Sequence, residues 1–568
     1  MTGNQFPRSF LRDGDVLDDW AIIEPYIDKL RDMPIESARA LDKWLVALSE
    51  VAAAVHEVGT DRYIKMTCQT DDQARKAAYL DFIENIEPKC KPRMHELNVK
   101  YAECPASRDL PHERFAVLDR SIRAEVDVFR EENVALQVEE AKLEQAYQEV
   151  CGAQTVQFDG KEQTLPQLAV YAEKTDRDTR QRAWEVETER RLADRERLED
   201  IFDELIALRH RMAQNADCTD YREYAFKVKQ RFDYTPEDCV AFHLAVERSA
   251  VPVMRAAQRQ RRESLGVQPL RPWDLSVDVK GRPPFAPFST VDELCMKVSR
   301  IFHRVHPDLG AQFDEMNAKA YLDLASRKGK APGGYQATYE EARHPFIFMN
   351  AVGVNGDVST MIHEGGHAFH QFAARHDDLM AYRSSPIEFA EVASFGMEML
   401  TLDLLDEFYD EQDAARAKRR KLEGIITLLP WVATIDAFQH FLYTNPHHTR
   451  DQRRAHWLGL VDRFGGVADY NGYEEARAFG WQRQLHLFEV PFYYIEYGIA
   501  KLGALQVWRN AMDDREDAVR RYREALALGG SKPLPELFET AGAAFDFSEK
   551  TVGPLVELVG RELEKLPV

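Results

Sequence analysis

The segment His363-Glu364-Gly365-Gly366-His367 sets two imidazoles four residues apart with a carboxylate beside the first. On an α-helix, positions i and i+4 share a face, so both rings can close on one divalent cation while Glu364 stands about 100° round the axis. That is the H-E-x-x-H pattern, whose chemistry is a zinc ion activating water for amide hydrolysis with the glutamate as general base. The Gly365-Gly366 pair adds to the signal. Two mid-helix glycines cost about 2 kcal/mol of helix propensity relative to alanines, and close approach of another backbone or a ligand is what gives such a choice a reason. His370 lies on the same face, but seven residues of helix rise about 10.5 Å. That is too far from His363 for both to bind one ion through bonds of about 2 Å, so His370 is read as a supporting residue or part of a cleft wall.

A catalytic zinc takes three protein ligands and keeps one position open. The stretch SSPIEFAEVASFGMEML, from Ser384, offers the third. Ser385 as N-cap, Pro386 at the first helical position and Glu388 at the third make a capping box, which occupies Glu388. Glu391, one turn further on, is then the ligand candidate. Glu398, seven residues beyond on the same face, reads equally as a carboxylate orienting a ligand imidazole from behind or as an ordinary surface glutamate. Asp357 is read as the N-cap of the zinc helix, with the helix starting near Val358.

Helical periodicity of 3.6 residues runs through most of the chain, so the expected class is mainly α. Residues 1–150 read as helical hairpins. Residues 151–330 continue helical, with a short hairpin turning at Asp159-Gly160 and a proline-rich connection over 267–289. Residues 331–568 carry the zinc segment and the C-terminal helices, with a helix opening at Ser289 ahead of them and a stop at Gly529-Gly530. Residues 346–350 are the best strand candidate and are read as an edge that pairs with extended substrate backbone. Gly333, Gly334, Tyr335, Phe348 and Asn350 are accordingly the candidate substrate-binding residues. In PFYYIEY, on a helix that Pro491 can start, Tyr494 and Tyr497 are i and i+3 while Tyr493 and Tyr497 are i and i+4. An aromatic stripe at this spacing is by itself more often core than catalytic.

Composition narrows the class. The 568 residues are 44% hydrophobic and 30% charged, as in ordinary soluble globular proteins. A formal charge of -22 opposes phosphate backbones and anionic lipid. Neither nucleic acid nor membrane is therefore expected as a partner, and the basic runs RQRRES and RAKRRK read as solvated helix faces. Seven scattered cysteines with no C-x-x-C pair fit a reducing compartment. The N-terminus shows no apolar targeting core, and GIITLLPWVATI is short and proline-broken, so a cytoplasmic location is expected.

Three longer stretches, RHPFIFMNAVGVNGDVSTMIHEGGHAFHQ, EFAEVASFGMEML and HLFEVPFYYIEYGIAKLGALQVW, resemble in order and spacing the oligoendopeptidase F and thimet-oligopeptidase-like zinc metallopeptidases. FDGKEQTLPQLAVYAEKTDRDTRQRA and LALGGSKPLPELFETAG are similar to other parts of that family, so the resemblance covers about residues 120 to 560. It implies a helical ellipsoid with a deep central cleft or channel, a zincin-type HExxH helix and a small β-sheet. It also implies one Zn2+ per chain on His363, His367 and Glu391, with Glu364 as the catalytic glutamate. His486, Tyr494 and Tyr497 fall where the family keeps its transition-state hydrogen-bond donors. Short unstructured peptides are the implied substrates, cut internally; separately from the resemblance, a monomer or homodimer is expected. Gly365 departs from the pattern, since relatives often carry a larger apolar residue there. Two rival readings stand beside this one. A helical zinc carboxypeptidase shares HExxH but needs a cationic anchor for the substrate carboxylate, and a non-catalytic zinc-stabilised peptide-binding scaffold has no use for Glu364.

Overall fold

Residues 6–567 are described by the computed structural model and are predominantly helical. Five short strands make two sheets among the described residues: β1 (Thr155–Phe158), β2 (Lys161–Thr164), β3 (Leu322–Ala325), β4 (Tyr335–Tyr339) and β5 (His344–Ala351). β1 and β2 form the hairpin expected from the sequence. Asp159 and Gly160 both take positive φ, 53° and 74°, the conformation a two-residue primed turn demands. The other sheet runs β3-β5-β4, with β5 parallel to β3 and antiparallel to β4.

The chain folds into two compact units. The first gathers Met1–Asp127, Phe285–Ala414 and Gly503–Phe545; the second gathers Val128–Pro284, Ala415–Leu502 and Asp546–Val568. Neither is a continuous stretch, so the units cut across the three successive segments read from the sequence.

In the first unit the helices Trp20–Asp32 and Ala38–Cys68 open on Asp19 and Ser37, whose side chains accept from the second and third helical N–H groups, respectively. Their apolar stripes meet around Trp44, whose indole donates to Leu30 O at 2.9 Å, with Ile23, Ile27 and Leu41 completing the core. Helix Val291–Val305 buries Leu294, Val298, Ile301, Phe302 and Val305. It starts two residues later than Ser289 because Thr290 is the side chain that caps it. Helix Arg515–Ala527 ends just before Gly529, where a Cβ would lie 1.9 Å from Tyr382 O; the stop read from the sequence is here a point of close backbone approach.

The second unit is built on helices Pro236–Leu265 and Glu411–Thr444. Helix Glu411–Thr444 contains the apolar run noted in the sequence and is long and apolar enough to cross a membrane, but 72% of its apolar window is buried inside the protein. It serves as a core helix.

Candidate active site

The zinc helix spans Asn355–Ala374, three residues earlier than expected. Asp357 sits in its first turn rather than at the N-cap: Oδ2 accepts from the backbone N–H of Val352, Gly353 and Val354 at 2.8, 2.8 and 3.0 Å. One carboxylate thus folds the approach to the helix and starts it. Further along, the rings of His363 and His367 face each other with centroids 5.0 Å apart.

The next helix, Ile387–Leu400, delivers Glu391 between them. Glu391 Oε2 is 3.5 Å from His363 Nε2 and Oε1 is 3.8 Å from His367 Nε2. One donor atom from each residue lies within 4.8 Å of the others, a spacing that an ion with bonds of about 2.0–2.2 Å can bridge with little movement. Two imidazoles and one carboxylate are also the donor types zinc prefers in open sites. The residues therefore fit a zinc ion. Ser394 Oγ donates to Glu391 Oε2 at 2.9 Å and fixes that carboxylate.

Glu391 reaches this position for a different local reason than the sequence suggested. Pro386, extended at ψ 149°, is itself the N-cap residue, so Glu388 falls at the second helical position. The Ser385–Glu388 box does not form, and Ser385 Oγ is buried with no hydrogen-bond partner among the described residues.

Behind the metal face, His363 Nδ1 is 2.8 Å from Glu398 Oε1. A proton shared there leaves the Nε2 lone pair directed at the centre. Burial works most strongly against charge on His363, but the Glu398 hydrogen bond and the negative charges of Glu398, Glu391 and Glu364 together push the ring up overall. Burial holds His367 well below its ordinary range, so that ring is neutral and ready to ligate. His370, one turn further, is buried and pushed down to about 4 by its surroundings. It lies outside the three-donor group.

Glu364 is 7% exposed. Burial is the main cause that pushes its carboxyl up to about 7; His363 opposes the rise, Glu391 adds to it, and a hydrogen bond from the Gln336 backbone N–H opposes it again. Gln336 belongs to β4, so the sheet touches the carboxyl directly.

Two different neighbours account for the glycines. A Cβ on Gly366 would lie 2.5 Å from Ala393 O and 2.6 Å from Ser394 Cα; the bare backbone here lets the Glu391 helix come within reach of the two histidines. A Cβ on Gly365 would meet the Phe302 ring at 2.5 Å. The space beside Gly365 is filled by Phe302, from helix Val291–Val305.

The sheet corrects the substrate-edge expectation. β5 is central, paired on both sides, and its Phe348 is fully buried under a stacked Tyr335 at 4.8 Å. Asn350 Nδ2 donates to Ala331 O and Gly333 O at 2.8 and 3.0 Å and so shapes the loop before β4. The Tyr335 hydroxyl pairs with Thr67 Oγ1 at 2.6 Å. Gly333 takes φ 95°, and a Cβ on Gly334 would lie 3.1 Å from Thr360 Cγ2 on the zinc helix. The edge strands are β3 and β4, of which β4 touches Glu364 through Gln336, because β5 forms ladders on both sides and cannot accept another strand.

His486, Tyr494 and Tyr497 come together in the second unit. The His486 ring is 4.8 Å from Tyr494 and 5.9 Å from Tyr497, and the two tyrosine rings are 5.5 Å apart. Tyr493 also lies 5.3 Å from Tyr497, so the spacing alternatives coexist as one cluster. Gln484 Nε2 reaches His486 Nδ1 at 2.7 Å, and its Oε1 accepts from Trp431 Nε1 at 3.0 Å. Burial holds His486 down to about 4 and raises Tyr494. Helix Tyr494–Asp513 begins three residues after Pro491, because Phe492 adopts φ 62° and interrupts the turn.

Residues that the sequence reading missed hold this segment. The fully buried Arg209 donates to Leu487 O at 3.2 Å and to Phe488 O, and Arg231 donates to Phe492 O. Gln439 Oε1 accepts from Phe492 N at 2.5 Å. Arg209 and Gln439 stand on helices and Arg231 just past helix Tyr221–Val228, and a lone polar residue there does not say which carbonyl or N–H awaits it.

Residues 170–553, about two thirds of the chain, match the model of peptidase family M3. The chain belongs to peptidase family M3. It is 25% identical over 227 residues to an oligoendopeptidase F homolog of Borreliella burgdorferi, covering 38% of this chain and 37% of the relative. To oligopeptidase PepF of Bacillus subtilis it is 25% identical over 227 residues, covering 39% and 33%. The chain thus spans about a third of the length of these curated relatives. Among solved structures, PZ peptidase A with an inhibitor superposes with a TM-score of 0.88 at 27% identity, over 99% of both chains. A structure described as an oligoendopeptidase F gives the same TM-score and identity over 99% of this chain and 98% of its own. The helical M3 fold is thereby established.

Proposed function

We propose that this chain is a zinc-dependent oligoendopeptidase of family M3 that hydrolyses internal bonds of short, unstructured peptides. The observation that carries the reading is the convergence of His363, His367 and Glu391 to within 4.8 Å of one another, with the Glu364 carboxyl beside them pushed up to about 7. When bound to those three residues, zinc supplies Lewis acidity toward a water molecule and a peptide carbonyl. Glu364 holds the moving proton. A carboxyl titrating near neutrality can take it from the attacking water and return it to the departing amine. His363 stays oriented through Glu398, and His367 stays neutral through burial. Tyr494 and Tyr497 are assigned as O–H donors to the oxygen that gains charge in the tetrahedral intermediate, with His486 as a further donor. The open side of β4 is the place for extended substrate backbone, a ladder that reads main chain and leaves side-chain preference broad. Seven cysteines outside any disulfide and the bacterial relatives support a reducing, cytoplasmic setting.

The test is hydrolysis of a peptide blocked at both ends, assayed before and after zinc chelation and restoration. Internal cleavage that follows zinc is the expected result. Cleavage only of peptides with a free C-terminal carboxylate would reassign the enzyme as a carboxypeptidase.

A further inference from the structure

The second unit holds another group of metal-type side chains, on two helices that face each other. Helix Pro236–Leu265 carries Cys239 and His243 at i and i+4, and helix Glu411–Thr444 carries Asp436 and His440 at the same spacing. One donor atom each from Cys239, Asp436 and His440 lies within 4.8 Å of the other two. His243 Nε2 is 2.7 Å and His440 Nε2 3.2 Å from the same Asp436 Oδ2. Cys239 and Asp436 are 0% exposed, His243 5% and His440 8%. The rings of Phe226 and Phe492 stand edge-on to His440, with centroids at 6.4 and 5.5 Å, and help to close the site to water.

This group is incompletely satisfied by hydrogen bonds. Asp436 Oδ1 is buried and makes none among the described residues, and His440 Nε2 has only its 3.2 Å approach to Asp436 Oδ2, although a buried carboxylate is costly unless paired and fully bonded. A divalent cation answers the whole set at once. One thiolate, one carboxylate and two neutral imidazoles around Zn2+ sum to zero charge, the state a dry apolar pocket favours.

We propose that Cys239, His243, Asp436 and His440 form a second, structural zinc site. Four protein donors fill the tetrahedron and leave no position for substrate water. Binding releases the Cys239 thiol proton to solvent and leaves each imidazole protonated on Nδ1. His243, outside the three-donor group, moves onto the ion, and two further adjustments accompany it. The 2.7 Å approach of His243 to Asp436 opens to the edge of about 3.3 Å set by bonds of about 2.0 Å. Arg222, partly exposed and 3.4 Å from His440 Nδ1, turns outward. The consequence reaches the tyrosine cluster, because Gln439 on the same helix accepts from Phe492 N and the His440 ring packs on Phe492. The ion would therefore brace the turn that leads into Tyr494.

Zinc content of the full chain by native mass spectrometry, together with the absorption spectrum of the Co2+-substituted protein, tests this without reference to peptidase activity. Two zinc ions per chain are expected, with one retained in His367→Ala. Co2+ should give a thiolate-to-metal charge-transfer band, since His363, His367 and Glu391 include no sulfur, and Cys239→Ser should abolish it. A single zinc that disappears in His367→Ala overturns the proposal, as does a second zinc with no thiolate band. Should Cys239→Ser fail to fold, the wild-type cobalt spectrum and the His367→Ala metal count still decide.

Discussion

His363 and His367 sit four residues apart on one helix with Glu391 reaching across from a second, and Cys239 with His243 faces Asp436 with His440 on the same plan. The side chains of the first set are 21%, 18% and 10% exposed, in that order. In the second set the His243, Asp436 and His440 side chains are 6%, 0% and 10% exposed. Three donors in a partly open place leave room for water and a substrate carbonyl, and a near-neutral carboxyl stands beside them. Four donors in a dry place leave none. Donor count and access, more than ligand type, separate a centre that does chemistry from one that holds helices together.

Removing a ligand should break the comparison most visibly. His367→Ala is expected to lose the active-site zinc and lower kcat/KM by about four orders of magnitude or more, while zinc in the cysteine-containing set stays. Metal content measured beside turnover checks both halves, and loss of both ions together would show that the two sets are not independent. Next in size is the oxyanion contribution. Tyr494→Phe and Tyr497→Phe should each lower kcat by about 10²- to 10³-fold with KM little changed. Steady-state kinetics decides, and a change confined to KM would move these tyrosines to substrate binding.

Glu398→Gln sharpens the role of the partner behind His363. It should weaken zinc affinity or activity by about 10- to 100-fold, read from chelator competition; an unchanged affinity would leave Glu398 a packing residue. The smallest effect concerns helix approach. Gly366→Ala forces a methyl against Ala393 O and Ser394 Cα and should cost about 1–3 kcal/mol in urea unfolding. Gly365→Ala meets only the end of the Phe302 ring and should cost less. Equal costs would mean that the Ala393 backbone yields as easily as a ring.

What could be read from the sequence was what local spacing encodes. The His363–His367 pair and the Asp159-Gly160 turn depend on neighbours within a few residues, whereas Gly365-Gly366 signalled a close approach without naming Phe302 or Ala393 as what approaches. Glu391 emerged from a capping argument that the structure replaces, since Pro386 takes the N-cap itself; its place one turn into the helix survives a one-residue shift of the start. β5 was misjudged as an edge because strand order depends on β3 and β4 arriving on either side, and periodicity in one strand carries no record of its partners. Cys239-His243 and Asp436-His440 were each visible as helical pairs, yet nothing local links two helices so distant along the chain. The compact units were hidden for the same reason, each being assembled from three separated stretches.

Glu364→Gln, assayed for zinc content and turnover on one preparation, bears on the central claim most directly. Full zinc occupancy with kcat lowered by about 10²- to 10⁴-fold is expected of a general base beside an intact metal centre. Unchanged turnover, or activity lost only because zinc is lost with it, would contradict the assignment of Glu364 as the group that carries the proton.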